Sequence, residues 1–207
     1  MISEERIELF NFYQSFDSPI LNITSKIEVP NFSTDLKLKQ VSLFQYITYC
    51  ICKSVMENQN FKLRYGESKI YEIDKLVPSY TVMREGEVFN FCSFDFNSKF
   101  DQFLRLSLDA KNIAERMKLL NRDDFSHKNY IFITCIPWFD FTSIQHPVSA
   151  FKDLTIPSFA FGKIEFNSDV LSFPFSIQAH HGLVDGIHIH KFISSFKTNL
   201  SKVLLEI

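Results

Sequence analysis

Only five glycines punctuate this 207-residue chain, and two of them fall inside one nine-residue stretch, Gln178-Ala-His-His-Gly-Leu-Val-Asp-Gly186. The stretch also holds two adjacent histidines and an aspartate four residues after the second. Before it, Phe175-Ser-Ile-Gln-Ala179 alternates apolar and polar side chains as a half-buried strand does. After it, Ile189, Phe192, Ile193, Phe196, Leu200, Val203 and Leu204 recur at helical spacing. The pattern predicts strand, turn and helix in succession, with Asp185 at the helix N-cap.

Adjacent residues on a strand point to opposite faces, so at most one of His180 and His181 looks into a given cleft. The other must be packed or hydrogen-bonded behind it. An imidazole near its ordinary pKa of about 6.5 is the usual general base at neutral pH. A nearby aspartate could fix the turn or orient that ring. The local residues leave two readings open: a catalytic histidine, or a structural histidine beside a capping aspartate. A metal site is disfavoured, because His181 and Asp185 are expected to share a face only in a helix and Gly182 argues against helix there.

The rest of the chain bounds these readings. Twenty-two basic and twenty-four acidic side chains give a formal net charge of -2, which removes the electrostatic case for nucleic acid. With 24 phenylalanines, the core is expected to be built from rings. Of the four cysteines, at 50, 52, 92 and 135, Cys50 and Cys52 lie two apart in a helical pattern, diverge too far for a zinc knuckle, and read among apolar neighbours as buried free thiols. The N-terminus lacks a signal pattern, and no apolar run approaches the ~20 residues of a membrane span, so a cytoplasmic protein is expected.

Ser3–Phe16 reads as a helix capped by Ser3, and Leu21–Val29 as a strand. Asn31–Asp35 offers capping groups before a long helix through Val41, Phe44, Ile47, Ile51 and Val55, which stops at Asn58-Gln-Asn60. Short strands with a hairpin at Arg84-Glu-Gly-Glu87 follow, then a helix over Phe100–Leu120 and a polar loop over Asn121–Asn129. Tyr130–Ile136 is strand-like, residues up to Thr155 are irregular with Phe151 and Leu154 tucked down, and Ser158–Ile164 pairs with Leu171–His180 around Asn167-Ser-Asp169. Strands mixed with helices in one domain over residues 1–207 give the α+β class.

His180-His-Gly-Leu-Val-Asp-Gly186 resembles the HHxxxDG signature of the chloramphenicol acetyltransferase family, a branch of the coenzyme A-dependent acyltransferases. The resemblance extends to Arg6-Ile-Glu-Leu-Phe-Asn-Phe-Tyr13, Thr24-Ser-Lys-Ile27, Pro78-Ser-Tyr-Thr-Val82, Phe100-Asp-Gln-Phe103, Ile136-Pro-Trp-Phe139, Phe141-Thr142 and Gly162-Lys163, in the family's order. It implies a two-layer fold, a mixed β-sheet with helices on one side, assembled as a homotrimer. It also implies direct acetyl transfer from acetyl-CoA to a hydroxyl, with chloramphenicol as the expected acceptor and no metal. His181 would be the general base. Arg6 and Asp185 would form the ion pair that holds the turn. Thr134 stands where the family has the serine that donates to the developing oxyanion. Phe12 and Tyr13 would line the acceptor pocket, and Trp138 and Lys163 the coenzyme site. In a trimer, His181 would face Tyr13 and Thr134 of a neighbour.

The chain departs from the family in its pocket. Ala160 occupies a position where threonine is usual, Ser158 replaces a larger aliphatic residue, and Gly182 and Val184 stand in place of alanine and cysteine. These changes leave the base and alter pocket polarity. Two alternatives stand beside the leading one: an acyltransferase of this fold acting on another alcohol, and a non-catalytic trimeric coenzyme A-binding relative.

Overall fold

Eleven consecutive residues, Val170–His180, form the strand around which the other elements assemble, and its last ten are all buried. The computed structural model describes residues 2–32, 41–118, 120, 128–147 and 154–206, with the side chains of 203–206 outside that description. The order is α1 (Glu4–Gln14), β1 (Ile20–Val29), α2 (Leu43–Glu57), α3 (Gln59–Lys62), β2 (Leu63–Gly66) and β3 (Lys69–Glu72). It continues β4 (Val77–Arg84), β5 (Val88–Ser93), α4 (Phe100–Arg116), β6 (Tyr130–Cys135), β7 (Ser158–Phe161), β8 (Glu165–Asn167), β9 (Val170–His180) and α5 (Gly186–Glu206). Seven strands form one sheet in the order β1-β9-β7-β6-β4-β5, with β8 also on β9, and β2 and β3 pair apart from it. The β4/β6 and β6/β7 pairs are parallel and the others antiparallel, so the sheet is mixed, as expected.

Alternation divides that sheet into two faces. On one face Phe173, Phe175, Ile177 and Ala179 of β9 and Phe159 and Phe161 of β7 meet the helices and are buried. Phe192 of α5 lies 4.6 Å from Phe61 and 5.1 Å from Phe159 between ring centroids, and Phe196 lies 4.9 Å from Phe175. The core is thus the ring-built one that 24 phenylalanines predict. The opposite face carries Asn22 and Thr24 of β1, Ser176 and Gln178 of β9, Ser158 and Ala160 of β7 and Thr134 of β6, which the register sets side by side. The 136–147 segment is tied to this polar face: Asn22 Nδ2 donates to the Ile144 carbonyl at 2.6 Å, and the His146 amide donates to Gln178 Oε1 at 3.2 Å.

Several boundaries differ from the sequence reading for identifiable reasons. The N-cap of α2 is Ser42, whose hydroxyl accepts from the Gln45 amide at 3.2 Å, a Ser-x-x-Gln capping pair. Helix α4 stops at Arg116 rather than Leu120 because buried Asn90 donates to the carbonyls of Ala114 and Met117 while Arg84 takes that of Lys118. The strand expected over Ser158–Ile164 ends at Phe161; there the Lys163 amide turns to the Phe139 carbonyl, and β8 resumes pairing with β9 beyond. Residues 33–35 of the expected capping stretch, residues 121–127 of the expected loop, and Phe151 lie outside the described residues. Cys50, Cys52 and Cys92 are buried free thiols and Cys135 is partly buried. Among the described residues, no helix is long and apolar enough to cross a membrane.

Candidate active site

The chain leaves β9 at His180, turns through His181–Asp185 and enters α5 at Gly186. The two histidines part company there. His180 is buried, its ring stacked on Phe10 of α1 at 4.7 Å. Its Nδ1 accepts from the Gly182 amide at 3.1 Å, so the proton of the neutral ring sits on Nε2, which donates to Gln14 Oε1 at 3.1 Å. His181 is 30% exposed and stacks nearly parallel on Tyr13, with centroids 4.1 Å apart.

Asp185 stands between three partners. Its Oδ2 lies 3.1 Å from Arg6 Nη1, which also donates to the Gly182 carbonyl at 3.2 Å. Its Oδ1 lies 3.1 Å from His181 Nδ1. That last approach is an ion-pair distance without hydrogen-bond alignment, for His181 Nδ1 is buried and has no hydrogen-bond partner. The contact is therefore electrostatic rather than directional. The expectation that these two residues share a face only in a helix is overturned: residues 181–185 form a non-helical turn. Arg6 holds the other carboxylate oxygen across the turn, with Oδ1 left beside His181 Nδ1.

The third partner is His188. Its Nδ1 accepts from the Asp185 amide at 2.9 Å and lies 3.8 Å from Oδ2. Burial, reinforced by the charges of Arg6 and Lys191 against the opposing pull of Asp185, holds the His188 pKa below its ordinary value. Asn60 Nδ2 donates to the Leu183 carbonyl at 2.8 Å and pins the turn from α3. A methyl group added at Gly182 would come within 2.6 Å of the Phe10 Cα, so α1 packs against the turn backbone to backbone. Sequence reasoning missed Gln14, Asn60 and His188 as parts of the site. Asp185-Gly-Ile-His188 carried a signal, since residue N3 of a helix commonly reaches back to the N-cap amide.

The candidate residues form two groups. Arg6, Tyr13, His181 and Asp185 make direct contacts around the turn, and Phe12, 56% exposed, packs edge-on against Tyr13 at 5.2 Å. Tyr13 of the same chain covers the His181 ring, which corrects the expectation that a neighbour supplies it. The second group, Thr134, Ser158 and Ala160, lies on the polar sheet face, with Thr134 in register with Ala160 and Ala160 with Ser176. From Ser176 to His180 is four residues, roughly 13 Å, and from β9 to β6 is two strand spacings, roughly 10 Å. Thr134 and His181 of one chain therefore do not meet.

Trp138 is 68% exposed, and Lys163 is tied to the same loop by the hydrogen bond its backbone N–H donates to the Phe139 carbonyl at 3.2 Å. The Lys163 ammonium pairs with Glu165 Oε1 at 3.0 Å on the surface. Thr24, Lys26, Asp140, Phe141, Glu165 and Pro174 help line a cavity of about 290 Å³ nearby. Among the described residues, no group of three or more His, Cys, Asp or Glu side chains is placed to hold a metal ion.

Comparison with known proteins agrees with this architecture. A family model described as chloramphenicol acetyltransferase matches residues 2–197. The chloramphenicol acetyltransferase 3 of Escherichia coli is 27% identical over 193 residues, 91% of this chain and 89% of that protein. A chloramphenicol acetyltransferase of Clostridium butyricum is 28% identical over 179 residues, 85% of this chain and 81% of the other. Among solved structures, a chloramphenicol acetyltransferase matches with a TM-score of 0.80 at 23% identity, covering 96% of both chains. A probable dihydrolipoamide acetyltransferase from Listeria monocytogenes matches with a TM-score of 0.62 at 14% identity, covering 98% of this chain and 94% of that one. These structural likenesses speak for the fold.

Proposed function

The chain belongs to the chloramphenicol acetyltransferase family and is an acyltransferase, and on that basis we propose that it transfers acetyl from acetyl-CoA directly to an alcohol, with His181 as general base. The observation that carries the reading is the His181 ring itself, part-exposed, stacked on Tyr13 and with its Nδ1 beside an Asp185 carboxylate that Arg6 holds in place. With Nδ1 buried against the carboxylate, Nε2 is the nitrogen left for an incoming hydroxyl.

Acetyl-CoA, when bound, supplies the acetyl group as a thioester. His181 Nε2 takes the hydroxyl proton as the alcohol oxygen bonds to the acetyl carbon, and returns it to the sulfur as the carbon–sulfur bond breaks. Asp185 stabilises the transient imidazolium electrostatically. Thr134 donates its hydroxyl to the carbonyl oxygen on which charge develops. Trp138 and Lys163 fit a phosphate-bearing coenzyme as an exposed ring and an exposed cation on adjoining segments. Releasing Lys163 from Glu165 costs little, because exposed pairs contribute about 0–1 kcal/mol.

The separation of Thr134 from His181 within one chain supports a homotrimer in which each cleft takes the turn of one subunit and the polar sheet face of the next. The unit is a single domain over residues 1–207, acts in the cytoplasm and binds no nucleic acid. Chloramphenicol is the acceptor tested first, with antibiotic resistance as the corresponding role. A more polar alcohol is the second reading, favoured by Ser158 beside Gln178 in the register and by His146, whose buried Nε2 has no partner. The experiment is a thiol-release assay with acetyl-CoA, chloramphenicol and an alcohol panel, with His181→Ala as control. Release with chloramphenicol supports the antibiotic reading, release only with other alcohols the second, and no alcohol-dependent release overturns both.

A further inference from the structure

We propose that His188 is a positioning residue for His181: its unprotonated Nδ1 fixes the Asp185 main chain, and a proton there turns it from a support of the turn into a rival of Arg6. The inference rests on His181 being the base.

The geometry begins with the start of α5. The Asp185 carbonyl accepts from the His188 and Ile189 amides at 2.9 and 3.1 Å, the first bonds of the helix. In return the Asp185 amide donates to His188 Nδ1 at 2.9 Å. A residue three past the N-cap that reaches back to the N-cap amide is half of a capping box, a task usual for Glu or Gln. Here an imidazole performs it, and only with Nδ1 unprotonated and the ring proton on Nε2.

Asp185 is thereby held twice, its main chain by His188 and its carboxylate by Arg6, and both restraints act on the oxygen beside His181 Nδ1. Adding a proton to His188 Nδ1 sets donor against donor at the Asp185 amide. The carboxylate oxygen it then faces is Asp185 Oδ2, 3.8 Å away and already engaged by Arg6. The charged groups facing His188 are Arg6 from α1, Asp185 from the turn, Lys191 from α5 and Glu57 of α2, which shares with it a recess of about 270 Å³. The two nearby cations and burial oppose the charged ring. Neutral His188 and a correctly aimed His181 are one state of the turn.

The test compares wild type, His188→Ala, His188→Gln and the exposed-residue control His190→Gln in full pH profiles of kcat/KM, together with ring NMR titrations of the histidines. His188→Ala should lower kcat by up to ~10²-fold with KM nearly unchanged, the scale of a misplaced catalytic group. His188→Gln should recover most of kcat, because glutamine can accept the same amide. The acid limb of the wild type and of His190→Gln should steepen from one proton to two, and that of His188→Gln should remain at one. A one-proton limb in wild type and His188→Gln alike, or a His188→Ala protein with wild-type kcat, overturns the proposal. If no alcohol is acetylated the base assignment fails separately, and the NMR titration still decides. Two-step movement of the His181 ring signals in wild type, collapsing to one step in His188→Gln, supports the proposal; one step in both overturns it. Should the alanine variant not fold, the glutamine comparison carries both readouts.

Discussion

Arg6 and Asp185, 179 positions apart in sequence, meet through Nη1 and Oδ2 at 3.1 Å and lock the first helix of the chain to the turn before its last. Removing either partner leaves a part-buried charge. Arg6→Ala and Asp185→Ala should each lose about 2 kcal/mol, the scale of a hydrogen bond to a charged group. For a chain of this size that lowers Tm by about 4–8 °C, measurable by calorimetry. Activity should fall more steeply than stability, because Oδ1 no longer sits beside His181 Nδ1.

His181→Ala removes the proposed proton acceptor. Thiol release should drop by about 10²–10⁴-fold, the contribution of a positioned general base. Tm should change little, since the ring is 30% exposed and gives up chiefly its stack on Tyr13. A variant retaining wild-type turnover would assign the base elsewhere.

Thr134 can be separated into its hydroxyl and its shape. Thr134→Ser keeps the donor and Thr134→Val keeps the volume. Valine should cost about 10²–10³ in kcat, as the loss of one oxyanion donor does, while serine stays close to wild type. Equal rates for the two variants would make Thr134 an ordinary strand residue.

Acid should destabilise the fold in two stages. Burial lowers the pKa of His146, and burial with neighbouring cations lowers that of His188, both from 6.5. Each group is harder to protonate folded than unfolded, so its stabilisation is complete above pH 6.5 and is lost as pH falls through the folded value. Hydrogen bonds from Lys62 and Gln59 lower the Glu72 pKa from 4.5, which adds a loss beginning below that pH. A series of Tm values from pH 8 to 4 should be level at first and then fall; a level series throughout would show both rings charging freely in the folded protein.

Gly182→Ala tests the close approach of α1. The added methyl would meet the Phe10 Cα at 2.6 Å, a backbone atom that cannot swing aside. A loss of about 1–3 kcal/mol is expected, the range for overpacking. Gly86→Ala, with open space but a φ of +83°, is a useful contrast because its cost is backbone strain alone.

The strand, turn and helix over residues 175–204 were legible because alternation, glycine and helical spacing are local signals. The placement of His180 and His181 on different sides followed from the same alternation. What stayed hidden was long-range. Nothing near His181 in sequence announces the Tyr13 ring against it, and the His181–Asp185 approach depends on a guanidinium at the far end of the chain. Helix α4 ended early because Asn90, on strand β5, took its terminal carbonyls. The split between β7 and β8 likewise follows from a bond to Phe139 that spacing does not encode. The capping roles of Ser42 and His188 were local and readable, and were overlooked.

Trp138 is the only tryptophan in the chain, and it stands in water on the loop beside Lys163 while phenylalanines fill the interior. Intrinsic fluorescence excited at the indole band will therefore emit with the long-wavelength colour of a solvated ring before any denaturant is added. It will barely register collapse of the core. The same lamp will instead act as a built-in reporter for whatever comes to rest against that loop, and unfolding must be followed by circular dichroism.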